Sequence, residues 1–206
     1  MVPKIALACG ILAPLLFVAT DLLAGLQSPA YNFIRTSISE LSAFGAPTRA
    51  YVLPLLITQS LLLATFGVGI WLQAEQNISL RVIAALLVAD AAVSLVAVSL
   101  FPMHSGVRPS PQSVTVILGA TEVVLVFVAM GFGAAAFTNW FRIYSIGNLV
   151  VFGVLTVFGL VVQGGGRVGL QERVIAYAFQ LWILLLAILL LTAEAALGRG
   201  SESAVS

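Results

Sequence analysis

An all-α polytopic bundle of about six transmembrane helices, with a short interfacial segment between the first two, is the fold this sequence predicts. Three observations predict it. Of 206 residues, 61% are hydrophobic and only 8% charged, and the mean hydropathy is +1.12, whereas a soluble domain carries about 25% charged residues. The apolar residues fall into runs near the roughly 20 that a helix needs to cross hydrocarbon. No run alternates as a barrel strand does, and only helices or closed barrels satisfy their backbone groups in lipid.

The runs place spans at 5–26, 51–73, 81–101, 113–136, 143–163 and 173–196. Short breaker-rich connections separate them: Glu75, Gln76 and Asn77 after the second span, three prolines within 102–111, Asn139, Trp140 and Arg142 before the fifth, and Gly164-Gly165-Gly166-Arg167 before the sixth. The first run, led by Lys4, reads as a retained span, because no small-residue cleavage site precedes a soluble region. With no internal repeat visible, residues 1–206 read as one integral membrane domain with a polar tail at 200–206.

The longest polar interruption is 31–50, YNFIRTSISELSAFGAPTRA. Alternating spans place it on the same side as the 102–112 loop and the 164–173 entry, while both termini, the 73–80 loop and the 138–142 loop lie on the other. Counting Lys4, Arg81, Arg142 and Arg199 on the side of the termini against Arg35, Arg49, Arg108, Arg167 and Arg173 on the other slightly favours termini outside; setting aside Arg35 and Arg173, which have glutamates nearby and read as site residues, reverses that to termini inside. Trp71 and Trp140 fit an aromatic belt on the side of the termini.

Charge inside a span costs about 2.5–3.5 kcal/mol on insertion scales, so each instance needs a reason. Asp21, Asp90 and Glu122 are such residues, and they descend from the loop-rich face toward the midplane. The structural alternative is that each acid bonds a Ser, Thr, Tyr or Asn on a neighbouring helix, with Ser94, Thr121, Tyr144 and Asn148 as candidates. At the mouth, Arg35, Ser39, Glu40, His104, Glu172 and Arg173 form a candidate head-group site, since an arginine fork binds carboxylate or phosphate bidentately. Against this, Ser37, Ser39 and Glu40 fit the start of a short helix as caps, and Glu172 fits a helix N-terminus. The cluster expectation is specific: Arg35 and Glu40 should face Glu172 and Arg173 across the bundle.

Other chemistries find no support. A net charge of +1 with no basic, aromatic-interleaved patch excludes nucleic acid as a partner. One histidine and one distant cysteine, Cys9, make no metal site, and no cofactor motif is present. Asn77-Ile78-Ser79 matches a glycosylation pattern but lies too close to the membrane to serve as one. Gly67, Gly69, Gly131, Gly133, Gly153 and Gly159 permit close helix approach.

Four short motifs follow one another along the chain: Gly10-x-x-x-Pro14 in the first span, Tyr31 followed by Ser37-x-Ser39-Glu40-Leu41, Phe101-Pro102 ending the third, and Gly169-Leu170-x-Glu172-Arg173 entering the last. Their order resembles that of the bacterial and archaeal integral membrane proteins classed as domain of unknown function 998. The family tends to follow Phe-Pro with an aspartate and a later histidine; this chain has Met103 and His104, then Gln112 and Ser113, and lacks that pair. The resemblance implies a polytopic architecture and no particular activity.

Three functions are consistent with this pattern. The leading one is a multi-pass membrane protein, in the cell membrane if prokaryotic, whose partners are the bilayer and a lipid-like or isoprenoid-like molecule bound at a polar pocket on one membrane face. The second is a membrane-embedded acid–base enzyme of isomerase or cyclase type using Asp21, Glu40 or Glu122. The third is a proton-coupled carrier with Asp90 and Glu122 as the relay, against which stands the lack of visible inverted repeats or broken helices.

Overall fold

The computed structural model describes residues 2–28, 31–104, 113–161 and 167–203; the glycine run 164–166, Arg108 and Gln112 lie outside the described residues. Six helices account for nearly all of it: α1 (Val2–Leu26), α2 (Arg49–Gln73), α3 (Ile78–Leu100), α4 (Val114–Ala136), α5 (Trp140–Val161) and α6 (Val168–Ser203). All six are long and apolar enough to cross a membrane, and the protein is a multi-pass membrane protein. Among the described residues there is no strand, only an isolated bridge in which Phe44 N–H donates to Met103 O at 2.7 Å.

Several helix starts differ from the hydropathy boundaries for reasons of capping and pairing. Asn77 caps α3, its side chain accepting from Leu80 N–H, and Ser113 caps α4 by accepting from Val116 N–H. Arg81 therefore lies inside α3, its guanidinium 5.7 Å from the Trp71 ring. In α5 the Asn139 carboxamide accepts from Phe141 N–H. Glu172 and Arg173 lie within α6 because both find partners there. Helical backbone also continues to Ser203, into the stretch that composition marks as a polar tail.

The helices pack in chain order, and α6 returns to α1, closing a ring. Each contributes a stripe at 3.6-residue spacing. On α3 the stripe is Ile83, Leu87, Asp90 and Ser94; on α4 it is Glu122, Val126, Ala129 and Gly133. The half of the interior nearer the chain ends is apolar, built on Leu7, Phe66, Ile70, Ile83, Leu87, Met130, Phe141, Trp182 and Leu186. Trp182 fills its middle, stacked 6.4 Å from Phe179, 5.8 Å from Phe141, and donating through Nε1 to Ser145 at 2.9 Å. Toward the loop-rich end the same stripes turn polar: Gln59, Ser60, Asp90 and Gln180 are buried, and Asp21 and Arg173 lie above them.

Two in-span glycines are required by close approach. A Cβ at Gly69 would lie 2.8 Å from the Ala6 Cβ and 3.1 Å from the Leu7 nitrogen, and one at Gly133 would lie 2.6 Å from the Trp182 ring. Gly131, by contrast, has nothing within 4 Å of that position. Gly69→Val should therefore lower stability by about 1–3 kcal/mol through overpacking. Gly131→Ala should raise it by up to about 1 kcal/mol through helix propensity. Thermal denaturation in micelles, followed by tryptophan fluorescence, measures both; equal effects at the two sites would contradict the packing.

Candidate functional site

The polar end of the bundle is organised by Arg173, near the start of α6. Its Nε donates to Asp21 Oδ2 at 2.9 Å and its Nη2 to Asp21 Oδ1 at 2.8 Å, a bidentate pair across α1 and α6. Its Nη1 donates to the carbonyls of Phe33 (2.8 Å), Thr36 (2.9 Å) and Gly169 (3.1 Å), and Nη2 also donates to the Tyr31 hydroxyl. The guanidinium lies 4.9 Å from the centre of the Phe33 ring. Tyr177, one turn further along α6, donates to Asp21 Oδ2 at 2.6 Å. Arg173 and Asp21 are 6% and 1% exposed, so the pair is buried with its hydrogen-bonding capacity filled.

The partners of Arg173 in the 31–42 segment are what latch that segment onto the bundle. Leu170 N–H donates to Ile34 O at 3.0 Å, and Ile38 N–H donates to Glu172 Oε2 at 3.0 Å. Gly169 has to be glycine, since a Cβ there would run into the Thr36 carbonyl and approach the Phe33 oxygen at 2.8 Å. The Tyr31 hydroxyl donates to Ser37 O at 3.0 Å. Burial holds the Tyr31 phenol up at about 12, with Arg173 pulling it partly back, so it remains a neutral donor at ordinary pH. Glu40 Oε1 accepts from Ser37 N–H (3.4 Å) and Ser37 Oγ (3.3 Å), reaching back over the start of the one-turn 3-10 helix Ser39–Ser42.

A second group of acids lies deeper. Asp90 is about 15 Å from the loop-rich end of α3 and Glu122 about 12 Å from that end of α4, at ~1.5 Å per residue, near half of a hydrocarbon core of roughly 30 Å. Ser94 lies one turn from Asp90 on α3, and Glu122 lies on the inward stripe of α4, the helix packed next to α3. Asp90 is buried, and its Oδ1 has no hydrogen-bond partner among the described residues. Of the other polar groups that might have served these acids, Thr121 bonds back to Ile117 O and Asn148 to Tyr144 O.

The family model described as "Protein of unknown function (DUF998)" matches residues 11–189. The chain belongs to this family. No curated protein and no solved structure matches it. Tyr31 and the 37–41 segment meet the 169–173 segment at the latch, although they are more than a hundred positions apart in the chain.

The residues singled out in the sequence are thus divided among three places. Asp21, Glu40, Glu172 and Arg173 are engaged in the latch, and Ser39 joins it through a 3.0 Å contact between its hydroxyl and that of Ser37. Arg173 pairs with Asp21 and not with Glu40, while Arg35 is exposed and makes no side-chain hydrogen bond among the described residues. The expected four-residue cluster of Arg35, Glu40, Glu172 and Arg173 is replaced by the Asp21–Arg173 pair. His104 is exposed, 5.3 Å from the Phe44 ring. Asp90 and Glu122 form the deeper group. Sequence reasoning passed over Tyr31 and Tyr177 as site residues; the i, i+4 spacing of Arg173 and Tyr177 was the available signal for the second.

Removing one member of the buried pair, as in Arg173→Met or Asp21→Leu, should cost about 3–5 kcal/mol, and the double variant should recover part of that loss. Arg35→Ala should fall within about 0.5 kcal/mol of wild type. Denaturation midpoints in detergent test all four variants, and additive losses in the double variant would contradict the pairing. An unfolded tyrosine releases its proton near pH 10, so the stability that Tyr31 contributes should be intact below that pH and lost as pH rises through about 12. A comparison of wild type with Tyr31→Phe across this alkaline window should show the steeper decline in wild type.

Proposed function

We propose that this protein binds a lipophilic molecule whose polar head sits among Asp90, Ser94 and Glu122, between α3 and α4. The observation that carries this reading is the buried, partnerless Oδ1 of Asp90. An unsatisfied buried acceptor costs about 1–3 kcal/mol, and such groups persist in membrane interiors mainly where they meet a ligand, ion or proton. The helical stripes support the placement: Asp90 and Ser94 continue the line of Ile83 and Leu87, and Glu122 continues that of Val126 and Ala129, so both acids face the bundle interior.

The state of the mouth supports the deeper position over a head-group site at the surface, because Arg173, Glu172 and Glu40 already have protein partners. It also weighs for binding over acid–base turnover, since Asp21 and Glu40, two of the three acids such chemistry would draw on, are committed to the latch. The apolar interior toward the chain ends weighs against a polar path across the whole membrane.

Native mass spectrometry of the protein extracted in mild detergent tests this reading. The wild type should retain a small lipophilic adduct, and Asp90→Asn and Glu122→Gln should each reduce its occupancy by about tenfold, the effect of losing about 1.4 kcal/mol of binding. Arg35→Ala should leave it unchanged. Equal occupancy in wild type and both acid variants would overturn the proposal.

A further inference from the structure

The hairpin of α2 and α3, on the side of the chain ends, carries an arginine to which the described residues supply no acceptor. We propose that Arg81 and Trp71 form a docking surface for an anionic phospholipid of that leaflet, with the lipid phosphate on the guanidinium. This surface stands apart from the ligand reading above and does not depend on it.

Arg81 sits in the first turn of α3, just past the Asn77 cap. Among the described residues its side chain makes no hydrogen bond or ion pair, and its Nε is buried without an acceptor. Glu75, the acid nearest to it in sequence, is exposed in the preceding loop. The guanidinium lies 5.7 Å from the centre of the Trp71 ring, within the range of cation–π attraction. The two helices cross closely below it: a Cβ at Gly67 would lie 2.8 Å from Val88 Cγ2 and 2.9 Å from the Ala84 carbonyl oxygen. Packing therefore holds the charge in place and covers part of it, while the positive end of the α3 dipole adds to the same unbalanced potential. A partly desolvated cation with no counter-charge favours an anion. Phosphate suits a guanidinium because two N–H groups meet two oxygens in one plane. With Nε covered and the residue partly exposed, the edge that carries Nη1 and Nη2 is the one a phosphate reaches.

The surroundings of the charge point to a lipid and not to a free anion. Ile78, one turn before Arg81, is 69% exposed, and Trp71 and Val68 on α2 are 50% and 49% exposed. Ala85 and Val88, one and two turns further into the membrane from Arg81, are exposed as well. A strip of apolar surface thus runs from the guanidinium along the seam between α2 and α3, which is what an acyl chain needs when its phosphate lies at the interface. Tryptophan and arginine at the end of a span lie at headgroup level. A phosphatidylcholine phosphate has its own ammonium close by, whereas that of phosphatidylglycerol carries an uncompensated charge, so the surface selects the anionic lipid. Arg35 is the contrast. It is exposed at the other face, and among the described residues no aromatic ring lies under it.

The test uses the full chain in mild detergent with an equimolar mixture of phosphatidylglycerol and phosphatidylcholine of equal chain length, and reads the retained lipids by native mass spectrometry. Wild type should retain phosphatidylglycerol about fivefold over phosphatidylcholine. Arg81→Gln should bring that ratio close to one, Trp71→Leu should lower it, and Arg35→Ala should leave it at the wild-type value. Equal retention of the two lipids by wild type, or a ratio that ignores both Arg81→Gln and Trp71→Leu, would overturn the proposal. The tryptophan variant keeps the question open to decision if Arg81→Gln does not fold. A second arm compares thermal midpoints in phosphatidylcholine nanodiscs with phosphatidylglycerol or with inorganic phosphate added. The lipid should raise the midpoint of wild type more than that of Arg81→Gln, and inorganic phosphate should leave both unchanged; an equal shift from phosphate would show a simple anion site and sink the lipid assignment.

Discussion

The bidentate pair between Arg173 and Asp21 is the interaction on which the polar end of this protein depends. Two ions in a membrane interior are expensive to desolvate, and their mutual attraction offsets that cost only when geometry is good and every remaining donor is satisfied. Here Nε and Nη2 meet both carboxylate oxygens, Nη1 meets three carbonyls, and Tyr177 supplies a further donor to Asp21. The pair joins the first helix to the last and so closes the ring. It also converts an otherwise irregular segment into part of the structure, because the carbonyls of Phe33 and Thr36 have Arg173 as donor.

That arrangement separates two kinds of intramembrane charge. The acids near the mouth have a stated structural purpose: Asp21 holds Arg173, Glu172 accepts from Ile38 N–H, and Glu40 closes the short helix at Ser39–Ser42. Asp90 and Glu122 have none of comparable strength. Among the described residues, Asp90 Oδ1 has no hydrogen-bond partner. The contrast between satisfied and unsatisfied acids, within one bundle and on stripes that otherwise carry core residues, is what directs attention to the α3–α4 level. The same bundle keeps its apolar packing at the other end, where Trp182, Phe66 and Phe141 occupy the interior.

Hydropathy alone determined that this chain spans the membrane as six helices and that segment 31–50, the 102–112 loop and the entry to the last span share a side, because a twenty-residue apolar run in lipid has one stable backbone arrangement. It also marked Asp21, Asp90 and Glu122 as costly residues and Arg173 as a charge at the mouth. Their partners were not legible, since the choice of Asp21 over Glu40 for Arg173 depends on how α6 rotates against α1, and that rotation is set by contacts such as Gly169 under the Thr36 carbonyl. Tyr31 reads as a motif residue in the sequence, and the tertiary structure places its hydroxyl and that of Tyr177 on the ion pair. Only the folded arrangement, by supplying donors to Asp21, Glu40 and Glu172 and, among the described residues, none to Oδ1 of Asp90, decided which charges hold the bundle together.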